Sequence, residues 1–225
     1  MLGGRRLIVV ALLAAIPIIA AVVFAAAGEL DPRVFWARLL QRLVIPTVTA
    51  FVSVVIGTSA LAEEREDGTI LYLASTPLSR LSIVLTKALA AWTACLLVLV
   101  PSVLVAGLVA LRGDAGGASL GWPLAGIALS ALCYCAVSTW LAMAVRRPMV
   151  LGVLYILAWE GSIATFAASA DRLSIAAYAR AIAVEGVIDV SAPETAAATA
   201  VIVLLAASAV AVWAAGRRQA RTELP

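Results

Sequence analysis

Histidine is missing from all 225 residues of this chain. Its absence excludes a histidine general base, a histidine-containing catalytic triad and a histidine metal cluster. Charge is scarce too: Asp, Glu, Lys and Arg make up 13% of the residues, against about 25% in a typical soluble domain. Cysteine occurs three times, at Cys95, Cys133 and Cys135, always inside apolar runs. That odd count leaves no disulfide framework. Cys133 and Cys135 are two apart and fall on different faces of a helix, a poor geometry for shared ligation. From sequence alone the three read as small buried apolar residues. No G-x-x-x-x-G-K-[ST] phosphate loop occurs, so any nucleotide chemistry belongs to another polypeptide. What is abundant is apolar surface: 64% hydrophobic residues and a mean hydropathy of +1.09. A soluble fold of this length has no way to hide so much of it, and the chain reads as an all-α integral membrane protein.

A bilayer core of about 30 Å takes about 20 apolar residues of helix to cross. Six runs qualify, at about 7–27, 43–62, 88–111, 122–145, 149–168 and 196–215. Each is unbroken, which favours helices that satisfy their own backbone over the alternating strands of a barrel. Arg5 and Arg6 before the first run are reminiscent of a signal peptide, but the run outlasts the about 7–15 apolar residues of such a segment. It is therefore read as a span.

Lysine and arginine set the orientation. With the N-terminus inside, ten of the 16 cations lie on the cytoplasmic side: Arg5, Arg6, Arg65, Arg80, Lys87, Arg146, Arg147, Arg217, Arg218 and Arg221. Arg33, Arg38, Arg42, Arg112, Arg172 and Arg180 lie outside. Both termini are thus expected in the cytoplasm. The net charge of +3 follows from this asymmetry and calls for no nucleic acid. The outer connections 28–42 and 112–121 are expected as short loops. The longer stretch 169–195 has Leu173, Ala176, Ala177, Arg180 and Ala181 at helical spacing, extended by Ile182 and Val184. It reads as an amphipathic helix on the outer surface or dipping back into the membrane. Trp36, Trp122 and Trp213 near span ends are read as interface anchors. Pro17, Pro46 and Pro101 are read as kinks, and the small pair Gly126 and Ser130 as a close helix contact.

The charge avoided elsewhere collects after the second span, as Glu63, Glu64, Arg65, Glu66 and Asp67, followed by Gly68 and Thr69. Asp67-Gly68 favours a tight reversal, and Thr69 is able to cap a short helix. Ile70, Leu73 and Ala74 then form one apolar stripe, and Thr76-Pro77 stops and restarts the chain before Arg80. One reading is a solvated hairpin. The other is a surface helix whose stripe docks into a groove on a cytoplasmic partner.

The segment GTSALAEEREDGTILYLASTPLSRLSIVLTK resembles the region between the second and third spans of type-2 ABC transporter permeases. Glu64, Glu66, Gly68, Thr69, Pro77, Ser79, Arg80 and Lys87 fit the family pattern in order. Tyr155-Ile156-Leu157-Ala158-Trp159-Glu160-Gly161 in the fifth span is similar to a second family pattern. The resemblance implies a single permease domain over 1–225, with six spans, a cytoplasmic coupling helix between spans 2 and 3, and short re-entrant gate helices between spans 5 and 6. It implies an exporter subunit in the cytoplasmic membrane that forms the substrate path with a second permease chain, identical or homologous. Two ABC ATPase subunits would then hold the ATP and magnesium, with no cofactor in this chain. The coupling residues would be Glu63, Glu64, Arg65, Glu66, Asp67, Gly68, Thr69, Ile70, Leu73, Pro77 and Arg80, and Trp159, Glu160 and Gly161 would serve gate or path. Relatives usually begin with an amphipathic interfacial helix, whereas only residues 1–6 precede the first run here, so any hold that helix takes on the ATPase is not carried over.

Glu160 stands inside an apolar run, where a charge costs at least about 2.5–3.5 kcal/mol, so it is expected to hold a broken helix, pair with Arg172 or Arg180, or meet cargo. Two other classes stay open: an ion-coupled secondary transporter, which needs mid-membrane ion sites and internal repeats, and a non-transporting scaffold that recruits a cytoplasmic protein. The orientation is directly testable. Green fluorescent protein fused after residue 225 is expected to fluoresce, and alkaline phosphatase at the same point to stay inactive. The opposite pair of results would invert the topology.

Overall fold

The computed structural model describes residues 4–27, 31–66, 80–113, 116–163, 174–185 and 195–221. Among them the chain is helical throughout: α1 (Gly4–Ala27), α2 (Pro32–Leu39), a π-helical segment π1 (Leu40–Thr49), α3 (Ala50–Glu66), α4 (Arg80–Ala110), α5 (Gly117–Ala144), α6 (Pro148–Tyr155), a second π segment π2 (Ile156–Ile163), α7 (Ile175–Val184) and α8 (Ala197–Arg221).

Five helices are long and apolar enough to cross a membrane: Arg6–Ala27, Pro32–Ser59, Leu81–Ala110, Gly117–Ala144 and Ala197–Arg218. The expected fifth span at 149–168 is described in part, as the eight residues of α6 and the eight of π2; residues 164–168 lie outside the described residues.

The expected outer loop 28–42 is mostly helix. The Asp31 side chain accepts from the Arg33 amide at 2.8 Å, and Pro32 occupies the first turn. Asp31 and Pro32 thus supply the two residue types that start helices, cap and fixed φ. The helix then runs unbroken through π1 into α3. Trp36 is accordingly no interface anchor. It is fully buried, and its Nε1 donates to the Ser119 carbonyl at 3.1 Å. Trp122 and Trp213 are exposed. Phe24 and Phe35 stack with centroids 3.7 Å apart and planes 4° from parallel, closing the α1–α2 corner. The third span also begins earlier than expected, with α4 helical from Arg80.

Pro17, Pro46 and Pro101 all lie within helices. Near Pro17, the Ser102 hydroxyl of α4 donates to the Ala14 carbonyl, supplying hydrogen bonding in the turn that proline loosens. Pro46 sits inside π1, where the wider register relieves the clash of its ring with the preceding turn.

Helix α5 is the hub, packing against α3, α4, α6, α7, α8 and π1. Its faces are lined by buried small residues, among them Gly126, Ser130, Ala131, Cys135, Ser138 and Ala142. A Cβ on Gly126 would lie 2.7 Å from the Ala179 carbonyl oxygen and 3.3 Å from the Ala183 Cβ. Helix α7 therefore packs into the bundle with Ala176, Ala179, Ala183 and Val184 buried, rather than lying on its surface. Its Ser174 caps it by accepting from the Ala177 amide at 3.1 Å. On the other flank a Cβ on Gly57 would lie 2.8 Å from the Ser138 Cβ. Helices α1 and α8 expose large apolar residues such as Leu12, Val23, Ile202 and Val210, as lipid-facing helices do.

Gly126→Val is expected to lower stability by about 1–3 kcal/mol, because the obstacle is backbone and has no rotamer to yield. Gly121→Ala, with nothing within 4 Å of the added carbon, is expected to change little. Thermal unfolding of the two variants in detergent, followed by size-exclusion chromatography, separates them; equal midpoints would dissolve the α5–α7 contact.

Candidate coupling and gate segments

The coupling residues of the sequence reading divide between described and undescribed chain. Glu63, Glu64, Arg65 and Glu66 are the last described residues of α3, and Arg80 is the first described residue of α4. Asp67, Gly68, Thr69, Ile70, Leu73 and Pro77 lie outside the described residues. The helix delivering the acidic turn is firmly held. Thr58 and Ser59 bond back to the carbonyls of Val54 and Val55 at 2.7 and 2.6 Å, and Gly57 lies hard against α5. From α1, Arg6 Nη1 donates to Ser59 Oγ at 3.4 Å.

Glu63, Glu64, Glu66 and Asp67 surround a single arginine, Arg65, and make this the densest acidic stretch of the sequence.

Trp159, Glu160 and Gly161 fall in π2. Trp159 is half-buried, and its indole Nε1 is buried without a hydrogen-bond partner among the described residues. The side chain of Glu160 lies outside the described residues. The facing element is fixed by close contacts. A Cβ on Gly152 would lie 2.5 Å from the Val54 side chain, and Ile156 packs in one cluster with Ala50, Val54 and Tyr134. Residue number falls on α3 as it rises on α6, so the two run antiparallel, and π2 comes to the depth of π1, which it touches. Two ten- and eight-residue π segments thus lie side by side. π-Helical turns are rare, strained and often sited where function needs them.

On the same span Thr49 Oγ1 and Ser53 Oγ are buried with no hydrogen-bond partner within reach among the described residues, whereas Thr139 and Ser208 bond back to carbonyls at 2.8 and 2.7 Å. Thr49 and Ser53 are four apart and share a face. Sequence reasoning missed them, because a hydroxyl in an apolar run ordinarily bonds to its own helix. Among the described residues no three His, Cys, Asp or Glu side chains gather where a metal would sit.

A family model described as ABC-2 family transporter protein matches residues 5–167. The chain belongs to the ABC-2 transporter family. The match covers more than two thirds of it, from α1 through π2, and so includes both segments above. No match occurs among curated proteins or solved structures. As an ABC-2 permease the chain is a multi-pass membrane component of transport and not itself a catalyst.

Thr49→Val and Ser53→Ala each remove a buried oxygen that has no partner. Stability is expected to hold or rise, since an unsatisfied polar group costs about 1–3 kcal/mol. Thermal unfolding of each variant measures this; a loss above about 1 kcal/mol would mean that the oxygen is hydrogen-bonded after all.

Proposed function

We propose that this ABC-2 permease is the membrane subunit of an ATP-driven exporter, with two copies, or one copy and a homologous permease, enclosing the substrate path. In this reading α6 and π2 form the fifth of six spans, and 1–225 is one permease domain with both termini in the cytoplasm. Residues 63–80 are the coupling segment that rests on an ABC ATPase subunit, one for each permease, and α7 belongs to the gate between the last two spans. ATP and magnesium are bound by the ATPase alone.

The observation that carries the coupling assignment is the acidic cluster of Glu63, Glu64, Glu66 and Asp67, on the connection that the family resemblance makes the coupling helix. Acidic charge gathered at one place, in a chain that otherwise avoids charge, suits a cytoplasmic partner with a complementary basic surface. ATP binding would draw the two ATPases together and shift the junction. The bundle then changes state only to the extent that the partner contacts its two conformations differently. Trp159, Glu160 and Gly161 are assigned to the gate or path on the same grounds as π2 itself: a strained turn and an unpartnered indole N–H.

Charge reversal at Glu64 and Glu66 together with Leu73→Asp is expected to abolish co-purification of the ATPase while leaving the permease folded in the membrane. Each exposed ion pair is worth about 1 kcal/mol or less, so the combination is needed to break the contact. Undiminished recovery of the ATPase with the triple variant would move the docking site elsewhere.

A further inference from the structure

Apart from the coupling and gate segments, two thiols stand out. Cys95 on α4 and Cys135 on α5 are 40 residues apart in sequence, yet their sulfurs lie 3.5 Å from each other. Both side chains are completely buried, and Cys135 Sγ also approaches the Ser53 carbonyl of α3 at 3.9 Å. Three spans meet at this point. Packing alone is served by alanine or serine at either position, and α5 uses both residues freely nearby. Two sulfurs in contact add a chemistry that those residues lack.

We propose that Cys95 and Cys135 are an oxidisable dithiol that closes to a disulfide and staples α4 to α5. A disulfide is about 2.04 Å long, so the sulfurs need approach by only about 1.5 Å, a distance within reach of side-chain torsions. The oxidant is a small uncharged peroxide, hydrogen peroxide, which enters lipid. One sulfur, as thiolate, attacks a peroxide oxygen; the O–O bond breaks, leaving a sulfenic acid and, with the thiol's proton, one water. The second sulfur attacks the sulfenic sulfur, the S–S bond forms, the S–O bond breaks, and a second water departs with the remaining thiol proton. Two thiols lose two electrons and two protons, and the peroxide accepts both. A permeant phosphine reductant reverses the closure. Cys133 provides an internal control. It lies two residues from Cys135 but packs on another face, with Ala181, Ile182, Ala200 and Leu204 of α7 and α8.

The test uses the full chain purified in detergent and exposed to hydrogen peroxide. Remaining thiols are then alkylated, and peptides are mapped without reduction. The expected result is a monomer 2 Da lighter at the linked peptides, joined through Cys95 and Cys135, with the unfolding midpoint raised by a few degrees and restored by the phosphine. The link is expected to survive Cys133→Ser and to vanish in Cys95→Ser and Cys135→Ser. Cys95→Ala and Cys135→Ala repeat the test where a serine hydroxyl upsets folding. Absence of the link, whether the sulfurs stay reduced or oxidise singly, overturns the proposal; so does a link through Cys133 or one found only between two chains.

Discussion

Close approach of helices at small residues around α5 is the constraint on which the rest of the structure depends. Between membrane helices the hydrophobic effect supplies little, because lipid tails are as apolar as the side chains they replace; van der Waals contact and a few hydrogen bonds must hold the bundle. Gly126 brings α5 against the backbone of α7, Gly57 brings α3 against α5, and Gly152 brings α6 against Val54 of α3. Trp36 is the large exception and is keyed in by Gly107, whose Cβ would lie 3.1 Å from the indole ring. Once α5 is fixed at the centre, α1 and α8 have only one face left to pack, and their leucines and valines turn to lipid.

That arrangement separates rigid from pliable parts. Helix α3 is clasped toward Glu66, by Gly57 against α5 and by the Arg6 contact to Ser59. In the other direction the same span passes into π1, with Pro46 inside it. A force applied at Glu63–Glu66 would therefore move the lower part of α3 as a body with α5. The deformation would fall where the hydrogen-bond register is already strained. The segment π2 lies at that depth and touches π1, so the two π segments face each other rather than being scattered through the bundle.

How much of this was legible in the sequence depends on what each residue's environment required. Runs of apolar residues located the helices, because a bilayer demands a continuous stretch wherever it is crossed. The helix at 32–42 was hidden by Arg33, Arg38 and Arg42, which read as loop charge; Asp31 and Pro32 were the start signal that could have revealed it. The pairing of Gly126 with a neighbouring helix was legible as small-residue spacing, but its partner was not, since Ala179 belongs to a stretch that looks like a surface helix. Thr49, Ser53 and the Cys95–Cys135 contact were invisible. They depend on the relative rotation of spans 40 or more residues apart, and no local pattern encodes that rotation.

The electrostatics of the 63–80 junction follow a different logic from the bundle. Within its apolar runs the chain reduces charge almost to nothing. Between the second and third runs it gathers Glu63, Glu64, Glu66 and Asp67 around one arginine, in a protein where each charge must be kept out of lipid. Solvation alone would be met as well by lysine. A cationic surface on a partner would complement this acidic cluster, and it would do so only when that partner is docked. The contact would then be strong enough to select the partner and weak enough to be remade in each cycle, as a coupling element requires.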